Sequence, residues 1–449
     1  MRDTDHNTNC NRALADRLLI SCPHCDLLQR IPEVEPGASV RCPRCNKELW
    51  RHRVDSINRT LALTFAALIL FIIANTVPML GLTVVGRRAF TTVAGGAFKL
   101  WENGQHIVAV LVMFVAVVAP ALEILIQLFI GLGCLRKHPP AWIGFLLRHL
   151  GLIRTWSMIE VMLLGVLVAL TKIADYATVI PGIALFSLFA LVVLLAALQS
   201  CFDPRAAWEK ITWAEPESNL SDDDALVHME KAGNYTAPTA LGAGLQSCLD
   251  CGLLSKPPED VEEGRCPRCD EELVFRKHDS LNRTIAYLIA ASICYIPANF
   301  LPVMTTITSA GKESDTIMQG VVLLWSPTGW PLSLIVLFAS IMIPSAKILG
   351  LFYLVISVKR GSIKNSAQRN RLYRVIDIIG RWSMVDVFVD TFTVALIQLQ
   401  PLMAVEPGPG LLFFAAVVVF TMMAVESFDP RLIWDSESLQ ETETEVKYV

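Results

Sequence analysis

Charge is scarce in this chain: only 18% of its 449 residues are Asp, Glu, Lys or Arg, against 53% hydrophobic residues and a mean hydropathy of +0.48. Soluble domains carry about a quarter charged residues, so an ordinary soluble fold is excluded and a polytopic membrane protein is expected. With a net charge of −4, the chain also lacks the concentrated basic face that phosphate-backbone contacts need, which excludes a nucleic-acid partner. There is no Walker phosphate loop, no dinucleotide fingerprint and no Ser/His/Asp arrangement, so neither ATP hydrolysis nor hydrolase chemistry is expected and the chain reads as a non-enzyme. A basic-then-apolar signal peptide is absent too. The first fifty or so residues are polar, so the start of the chain is expected to stay cytosolic.

Cysteine is present in quantity and in pattern. Of twelve cysteines, eight form four C-x-x-C pairs: Cys22/Cys25 with Cys42/Cys45, and Cys248/Cys251 with Cys266/Cys269. The spacings, C-x2-C-x16-C-x2-C and C-x2-C-x14-C-x2-C, point to two four-thiolate zinc sites, since each short turn presents two sulfurs to one tetrahedral ion. The second spacing is one residue below the usual range. Four cysteines leave no open position for a reactive water, so the two zinc ions are expected to be structural. An iron centre is the other metal reading. A thioredoxin-type role would need a βαβ pattern that is missing. Cys10, Cys134, Cys201 and Cys294 show no spacing pattern and read as packing or incidental thiols.

Each cysteine set is followed by the same sentence of sequence. Asp55-Ser-Ile-Asn-Arg-Thr60 recurs as Asp279-Ser-Leu-Asn-Arg-Thr284, each read as a helix-capping entrance to a span with an interfacial Arg. Asn75 and Pro78 recur as Asn299 and Pro302, Trp101 as Trp325, and Pro120 as Pro344, at one constant offset; Trp156-Ser-Met and Phe202-Asp-Pro-Arg205 recur at Trp382 and Phe428 with two residues more. A match held this long is a tandem duplication. The apolar runs predict four spans per half, at about 60–80, 106–134, 156–171 and 180–200, then about 284–304, 329–357, 382–400 and 409–427. Helix 1 is expected to loosen at Pro78, and the Thr/Val stretches around Gly86-Arg87-Arg88 predict a short hairpin outside the membrane. The loop from Lys359 to Arg381 holds seven Lys or Arg and one acid, Asp377, which by the positive-inside rule places both termini and both cysteine modules in the cytoplasm. The expected division is a zinc module over 1–50, a four-span bundle over 51–210, an acidic mobile linker over 211–245, a second module over 246–276, a second bundle over 277–434 and an acidic tail over 435–449.

Charges inside spans are costly and so point to function. The second half has Ser340 and Lys347 seven residues apart on one helical face, then Ser383, Asp386 and Asp390, and Thr421; the first half has Ala116, Glu123, Ser157, Glu160, Leu164 and Leu195 at the matching places. Lys347 is too deep to snorkel to water and needs a partner, for which Asp386 and Asp390 are the candidates. Two readings stand side by side: a static ion pair fixing helix register, and a proton-responsive network. Glu123 calls for a partner that the sequence does not identify. Lys172 and Asp175, which have no counterpart in the second half, read as an interfacial snorkelling pair, with a periplasmic polar site as the alternative. The methionines along the spans read as packing.

Two four-cysteine modules, each before four spans with repeated N-R-T, W-S-M and F-D-P-R elements, resemble the paraquat-inducible protein A family, which takes in PqiA and LetA, over the whole chain outside the linker and tails. The resemblance implies an inner-membrane protein of Gram-negative bacteria that works beside a periplasmic MCE-domain partner in the trafficking of phospholipid or another hydrophobic molecule. It also implies bundles of a tetraspanin or TARP-like four-helix fold, the eight paired cysteines as zinc ligands, and Ser340, Lys347, Ser383, Asp386 and Thr421 as a polar network coupled to the proton motive force. Against this transporter stand a zinc-containing scaffold or sensor that anchors a partner, and a thiol oxidoreductase, which closed four-cysteine sets disfavour.

Overall fold

The computed structural model describes residues 19–30, 35–51, 53–84, 87–136, 138–140, 142–174, 178–211, 239–255, 264–308, 311–323, 325, 330–362, 365–396, 398–399 and 403–435. Its first module is two hairpins, β1 (Leu19–Ser21) with β2 (Leu28–Arg30) and β3 (Ser39–Arg41) with β4 (Glu48–Arg51), each closed by one cysteine pair. Helix α1 (Ser56–Thr76) then crosses to the hairpin β5 (Leu80–Val84) and β6 (Arg87–Thr91), with Val77 extended because it precedes Pro78. So the helix stops before the proline rather than loosening at it. The expected hairpin is present, and α2 (Val93–Glu102) follows it.

The second crossing is one continuous path of α3 (His106–Met113), a wide π-helical turn (Phe114–Val118) and α4 (Ala119–Cys134). Pro120 accounts for the wide turn: it lacks an N–H and its ring would strike the carbonyl four residues back, so the backbone opens by one residue there. Next come α5 (Trp142–Trp156) and α6 (Ile159–Ala174), with Trp156-Ser-Met marking the break between them. Strand β7 (Thr178–Pro181) joins the β5/β6 hairpin to make a sheet ordered β6-β5-β7. The half closes with α7 (Ile183–Cys201) and α8 (Pro204–Lys210).

The second half repeats this plan. Strands β8 (Gln246–Ser247), β9 (Leu254–Ser255), β10 (Gly264–Arg265) and β11 (Glu272–Leu273) form its module. After α9 (Ser280–Phe300) come β12 (Met304–Thr308), β13 (Gly311–Asp315), α10 (Ile317–Leu323), α11 (Trp330–Leu337), a π-helical turn (Phe338–Met342) beside Pro344, and α12 (Ile343–Lys359). Helix α13 (Ser366–Gly380), a 3₁₀ turn (Arg381–Met384), α14 (Val385–Leu396), β14 (Gln398–Leu399), β15 (Met403–Pro407) and α15 (Gly410–Ser427) complete it, with a sheet ordered β13-β12-β15-β14.

Seven helical paths among the described residues are long and apolar enough to cross a membrane, and the chain is a multi-pass membrane protein. At the place of the expected seventh span stands α14, of 12 residues, shortened by the 3₁₀ turn before it and made less apolar by Asp386 and Asp390. This short helix is central. A Cβ added at Gly165 of α6 would stand 2.6 Å from Phe388 Cβ and 3.1 Å from the Val385 carbonyl, so glycine lets the two halves approach backbone to side chain. Helix α2 packs on the same element through Gly96, beside Thr391.

The modules are crossed with respect to the bundles. Cysteines 22, 25, 42 and 45 share an apolar cluster with Leu288, Leu351, Tyr373, Phe428 and Trp434 of the second half, whereas Cys248, Cys251 and Cys266 share one with Ile126, Ile130, Ile143 and Trp208 of the first. Each module precedes one bundle in sequence and rests on the other in space. The described end of the linker, 239–245, packs on the first module through Ala240, Ala243 and Leu245 against Leu28, and the rest of the expected mobile linker, 212–238, lies outside the described residues.

A tight contact recurs where the last span of each half begins. A Cβ at Gly182 would meet the Pro78 carbonyl at 2.2 Å, and one at Gly408 the Pro302 carbonyl at 2.2 Å. Gly182→Val is expected to cost about 1–3 kcal/mol of stability by overpacking, whereas Gly151→Ala, which meets nothing within 4 Å, should be neutral or stabilise α5 by about 0.5–1 kcal/mol. Thermal unfolding of the two purified variants in detergent checks both; an unchanged transition for Gly182→Val would contradict the packing.

Candidate functional site

Both cysteine sets close as the spacing predicts. The sulfurs of Cys22 and Cys45 lie 3.5 Å apart, as do those of Cys25 and Cys42; Cys248 and Cys269 stand at 3.4 Å and Cys251 and Cys266 at 3.5 Å. Within each set all four sulfurs fall within 4.8 Å of one another. Zinc–sulfur bonds of about 2.3 Å in a tetrahedron put sulfurs roughly 3.8 Å apart, so both sets fit one metal ion each. In every knuckle the residue after the second cysteine turns into the left-handed region: Asp26, Asn46, Gly252 and Asp270 have φ of 59°, 58°, 70° and 58°. Each donates its N–H to the carbonyl of the first cysteine, as Asp26 does to Cys22 at 2.8 Å. Asp, Asn and Gly tolerate that conformation, and their presence after all four pairs is a signal in the sequence that spacing alone overlooks.

The crossed docking has its own polar hinge. Arg276, leading into α9, pairs with Asp26 of the first module at 3.0 Å and with Asp435 at 2.6 Å. Burial pushes the Asp26 carboxyl above its ordinary range against the pull of Arg276. Burial disfavours the Arg276 charge in turn, and Asp435 and Asp26 more than restore it. Arg44 stacks over Trp434 at 4.4 Å, and Arg148 of α5 pairs with Glu271 of the second module at 2.8 Å.

The entrance motifs are tied to the closing motifs. Asp55 and Asp279 are left-handed and do not cap their helices with a side-chain hydrogen bond, which corrects the expectation of capping. Instead Ser56 Oγ donates to the Cys201 carbonyl at 2.8 Å and accepts from Asp203 N at 2.9 Å, while Ser280 Oγ donates to the Ser427 carbonyl at 2.8 Å and accepts from Asp429 N at 2.8 Å. Asp203 and Asp429 in turn accept from the N–H groups of Arg205 and Arg431. The serine thus staples the first span of each half to its fourth.

Buried polarity is arranged differently in the two halves. Glu123, 1% exposed, sits just after the wide turn of the first half and accepts from Arg154 Nε at 3.2 Å and from Gln127 Nε2 at 3.4 Å. Arg154 is therefore the partner that the sequence did not identify. In the second half Lys347, 2% exposed, occupies the matching place, and Gly380 stands where Arg154 would be. The Lys347 ammonium donates to Thr421 Oγ1 at 2.8 Å, to the Gly380 carbonyl at 3.2 Å and to Ser383 Oγ at 3.3 Å. Both hydroxyls donate their own protons to backbone carbonyls, Thr421 to Val418 at 3.0 Å and Ser383 to Gly380 at 2.9 Å, and so offer lone pairs to the lysine. Neither Asp386 nor Asp390 is among its acceptors, because three neutral oxygens already use its three N–H groups.

Other expected site residues fall variously. Asp386 and Asp390 are both buried on α14, while Glu160, the first-half match of Asp386, is exposed. Ser340 is fully buried in the wide turn, and its hydroxyl makes no hydrogen bond to the described residues. Lys172 lies within α6, and Asp175 falls outside the described residues. The paired wide turns were missed by sequence reasoning, although Pro120 and Pro344 marked both positions.

Two bundles of the same plan, each with a metal-competent module, a stapled first and fourth span and a proline-widened second crossing, agree with a family model described as paraquat-inducible protein A, which matches residues 57–212 and 281–437. The chain belongs to the paraquat-inducible protein A family. It is similar to the intermembrane transport protein PqiA of Escherichia coli strain K12, with 33% identity over 94% of this chain and 97% of that protein. It is also similar to the lipophilic envelope-spanning tunnel protein A of the same strain, with 31% identity over 92% of this chain and 91% of that protein, and to a probable intermembrane transport protein of Haemophilus influenzae, with 27% identity over 93% and 95%. No solved structure matches the chain. The two family segments coincide with the bundles, and both cysteine modules lie outside them. The Escherichia coli PqiA and Haemophilus influenzae relatives are named for intermembrane transport and the third for an envelope-spanning tunnel, none of them for an enzymatic activity.

Two outcomes test this geometry. Cys42→Ser should lower bound metal from two ions per chain to one, by elemental analysis, and should raise amide hydrogen exchange in α13 and the 428–434 segment of the second half rather than in α1. Glu123→Gln leaves Arg154, a quarter exposed, without its counter-charge and should cost about 1–3 kcal/mol. The double variant Glu123→Gln with Arg154→Gln should be less destabilised than that single change in thermal unfolding.

Proposed function

We propose that this protein is the inner-membrane component of an MCE-type envelope lipid transport system, passing phospholipid to or from a periplasmic MCE-domain tunnel under the proton motive force. The observation that carries the reading is Lys347, a buried cation held by three neutral oxygens at the position where the other half holds a closed ion pair. An ammonium matches three acceptors. A neutral amine has two N–H groups and a lone pair, so losing the proton leaves one acceptor unmatched and requires a hydroxyl to turn toward nitrogen. Protonation and the hydrogen-bond order of α12, α13 and α15 are then one variable, which is what a proton-driven transporter needs. Ser340, Asp386 and Asp390 are further buried polar residues of the same half, all toward its strand sheet from Lys347.

In this reading eight spans are completed by the 3₁₀ turn and α14, and the termini and modules lie in the cytoplasm, as the basic loop between Lys359 and Arg381 supports. The domain limits stay as the sequence divides them. The modules hold structural zinc, for which all-sulfur tetrahedral sets are suited, and the two strand sheets at the opposite end face the periplasmic partner. Held by Cys22, Cys25, Cys42 and Cys45 and by Cys248, Cys251, Cys266 and Cys269, zinc would supply rigidity to the modules, and the transport chemistry belongs to the bundle side chains.

Reconstitution in proteoliposomes with the periplasmic partner tests the proposal. Lys347→Met should abolish gradient-dependent lipid transfer while metal content and the unfolding transition are retained. Lys347→Glu with Gly380→Arg should rebuild the first-half ion pair, restoring a stable fold but not the response to the gradient. Transfer at full rate in Lys347→Met would end the proton-coupled reading and favour the zinc-containing scaffold.

A further inference from the structure

Where α1 starts, α4 ends and α8 lies across them, the module face of the first bundle has a cavity of about 350 Å³. Two cations line it. Lys210 donates from Nζ to the Cys134 carbonyl at 3.3 Å and keeps two further N–H groups; Arg53 donates from one terminal nitrogen to the Phe202 carbonyl, and its Nε is buried without a hydrogen-bond partner. The one acid in the lining, Asp55, is already engaged by Asn58 Nδ2 at 2.7 Å. Ile57, Leu135 and Ala206 give the wall an apolar side, with Ser56, Asn58 and Cys134 completing the lining, and Leu135 is 53% exposed at the end of the second crossing.

Spare cationic donors beside an apolar wall at a membrane edge suit an anion that carries acyl chains. The volume lies at the small end of ligand sites, enough for a headgroup and too little for a whole lipid. The second half has not kept this arrangement. Lys277 stands in place of Arg53 with its Nζ tied to the Glu426 carbonyl at 2.6 Å, and Leu432 replaces Ala206.

We propose that this cavity binds the phosphate of a phospholipid headgroup on the module side of the membrane, through Arg53 and Lys210. The site goes beyond the transport reading and does not need it, since any phospholipid of the surrounding leaflet could fill it.

Calorimetric titration of the full-length protein in detergent tests the site with dihexanoylphosphatidylglycerol, inorganic phosphate and phosphate-free dihexanoylglycerol. The phosphatidylglycerol should saturate, and Arg53→Gln with Lys210→Gln should weaken it at least tenfold, while Arg53→Lys should keep most of the binding. Failure of inorganic phosphate to compete assigns the ligand to the lipid; equal binding by phosphate alone overturns the headgroup in favour of a free anion. No saturable binding, equal binding of dihexanoylglycerol, or an unchanged affinity in the double variant also overturns the proposal. If the double variant does not fold, Lys210→Gln alone serves, because that side chain is exposed, and it should weaken binding severalfold. Equilibrium binding is read without transport, so the two readings can fail separately.

Discussion

A lysine ammonium inside a membrane bundle has to be solvated by the protein, and this requirement organises the second half. Three N–H groups need three acceptor oxygens whose own protons, where they have any, are already donated elsewhere. Ser383 and Thr421 meet the condition because each hydroxyl proton is already given to a carbonyl of its own helical turn, and the third acceptor is the Gly380 carbonyl at the end of α13, which accepts from the Ser383 hydroxyl as well as from Lys347. Gly380 lies directly against the lysine: a Cβ there would be in ordinary contact with Lys347 Cε, at 3.5 Å. The position of the lysine follows from Pro344, whose missing N–H widens the preceding turn and shifts the face that the rest of α12 presents.

The same proline and the same wide turn serve the first half with the opposite charge. There Glu123 is neutralised by Arg154 and steadied by Gln127. An ion pair with both partners in place is a fixed element whose rupture is costly. A lysine among hydroxyls is compensated only as long as they keep their orientation. Duplication thus produced two frames of like plan, one closed by an ion pair and one held by hydrogen bonds to neutral oxygens.

Much of this was legible in the sequence. The duplication, the two four-cysteine sets, the outer hairpin and most crossings follow from spacing and hydropathy, which are local properties. Lys347 and Glu123 were visible as charges in apolar runs, but their partners were not. Arg154 and Gly380 lie in a neighbouring helix, and no periodicity within one helix reports what faces it. Attraction between opposite charges favoured Asp386 or Asp390 for Lys347, yet the three N–H groups of the lysine are filled by Ser383, Thr421 and Gly380. The Asp-Ser motifs looked like caps because cap chemistry is local; their serines bond across the bundle to Cys201 and Ser427. The crossed modules are a tertiary choice. Covalent order does not report which bundle a module rests on, and apolar burial against Tyr373, Phe428 and Trp434 decides it for the first.

The crossing ties the electrostatic difference to the metal modules. Lys347 is held by the Gly380 end of α13 and by Thr421 of α15. The first module rests on the same two helices, through the His24 and Tyr373 rings at 6.1 Å and through Val425 and Phe428 in the shared cluster. The first module therefore covers the helices that hold Lys347, while the second module sits on the half that holds the Glu123–Arg154 pair. Had each module rested on its own bundle, the four-cysteine set over the Lys347 half would have been carried by the segment entering it. With the modules exchanged, Arg276 and Asp26 join the entrance of that half to the module at the start of the chain, so neither half can rearrange at its module face without load on a structure folded from the other's sequence.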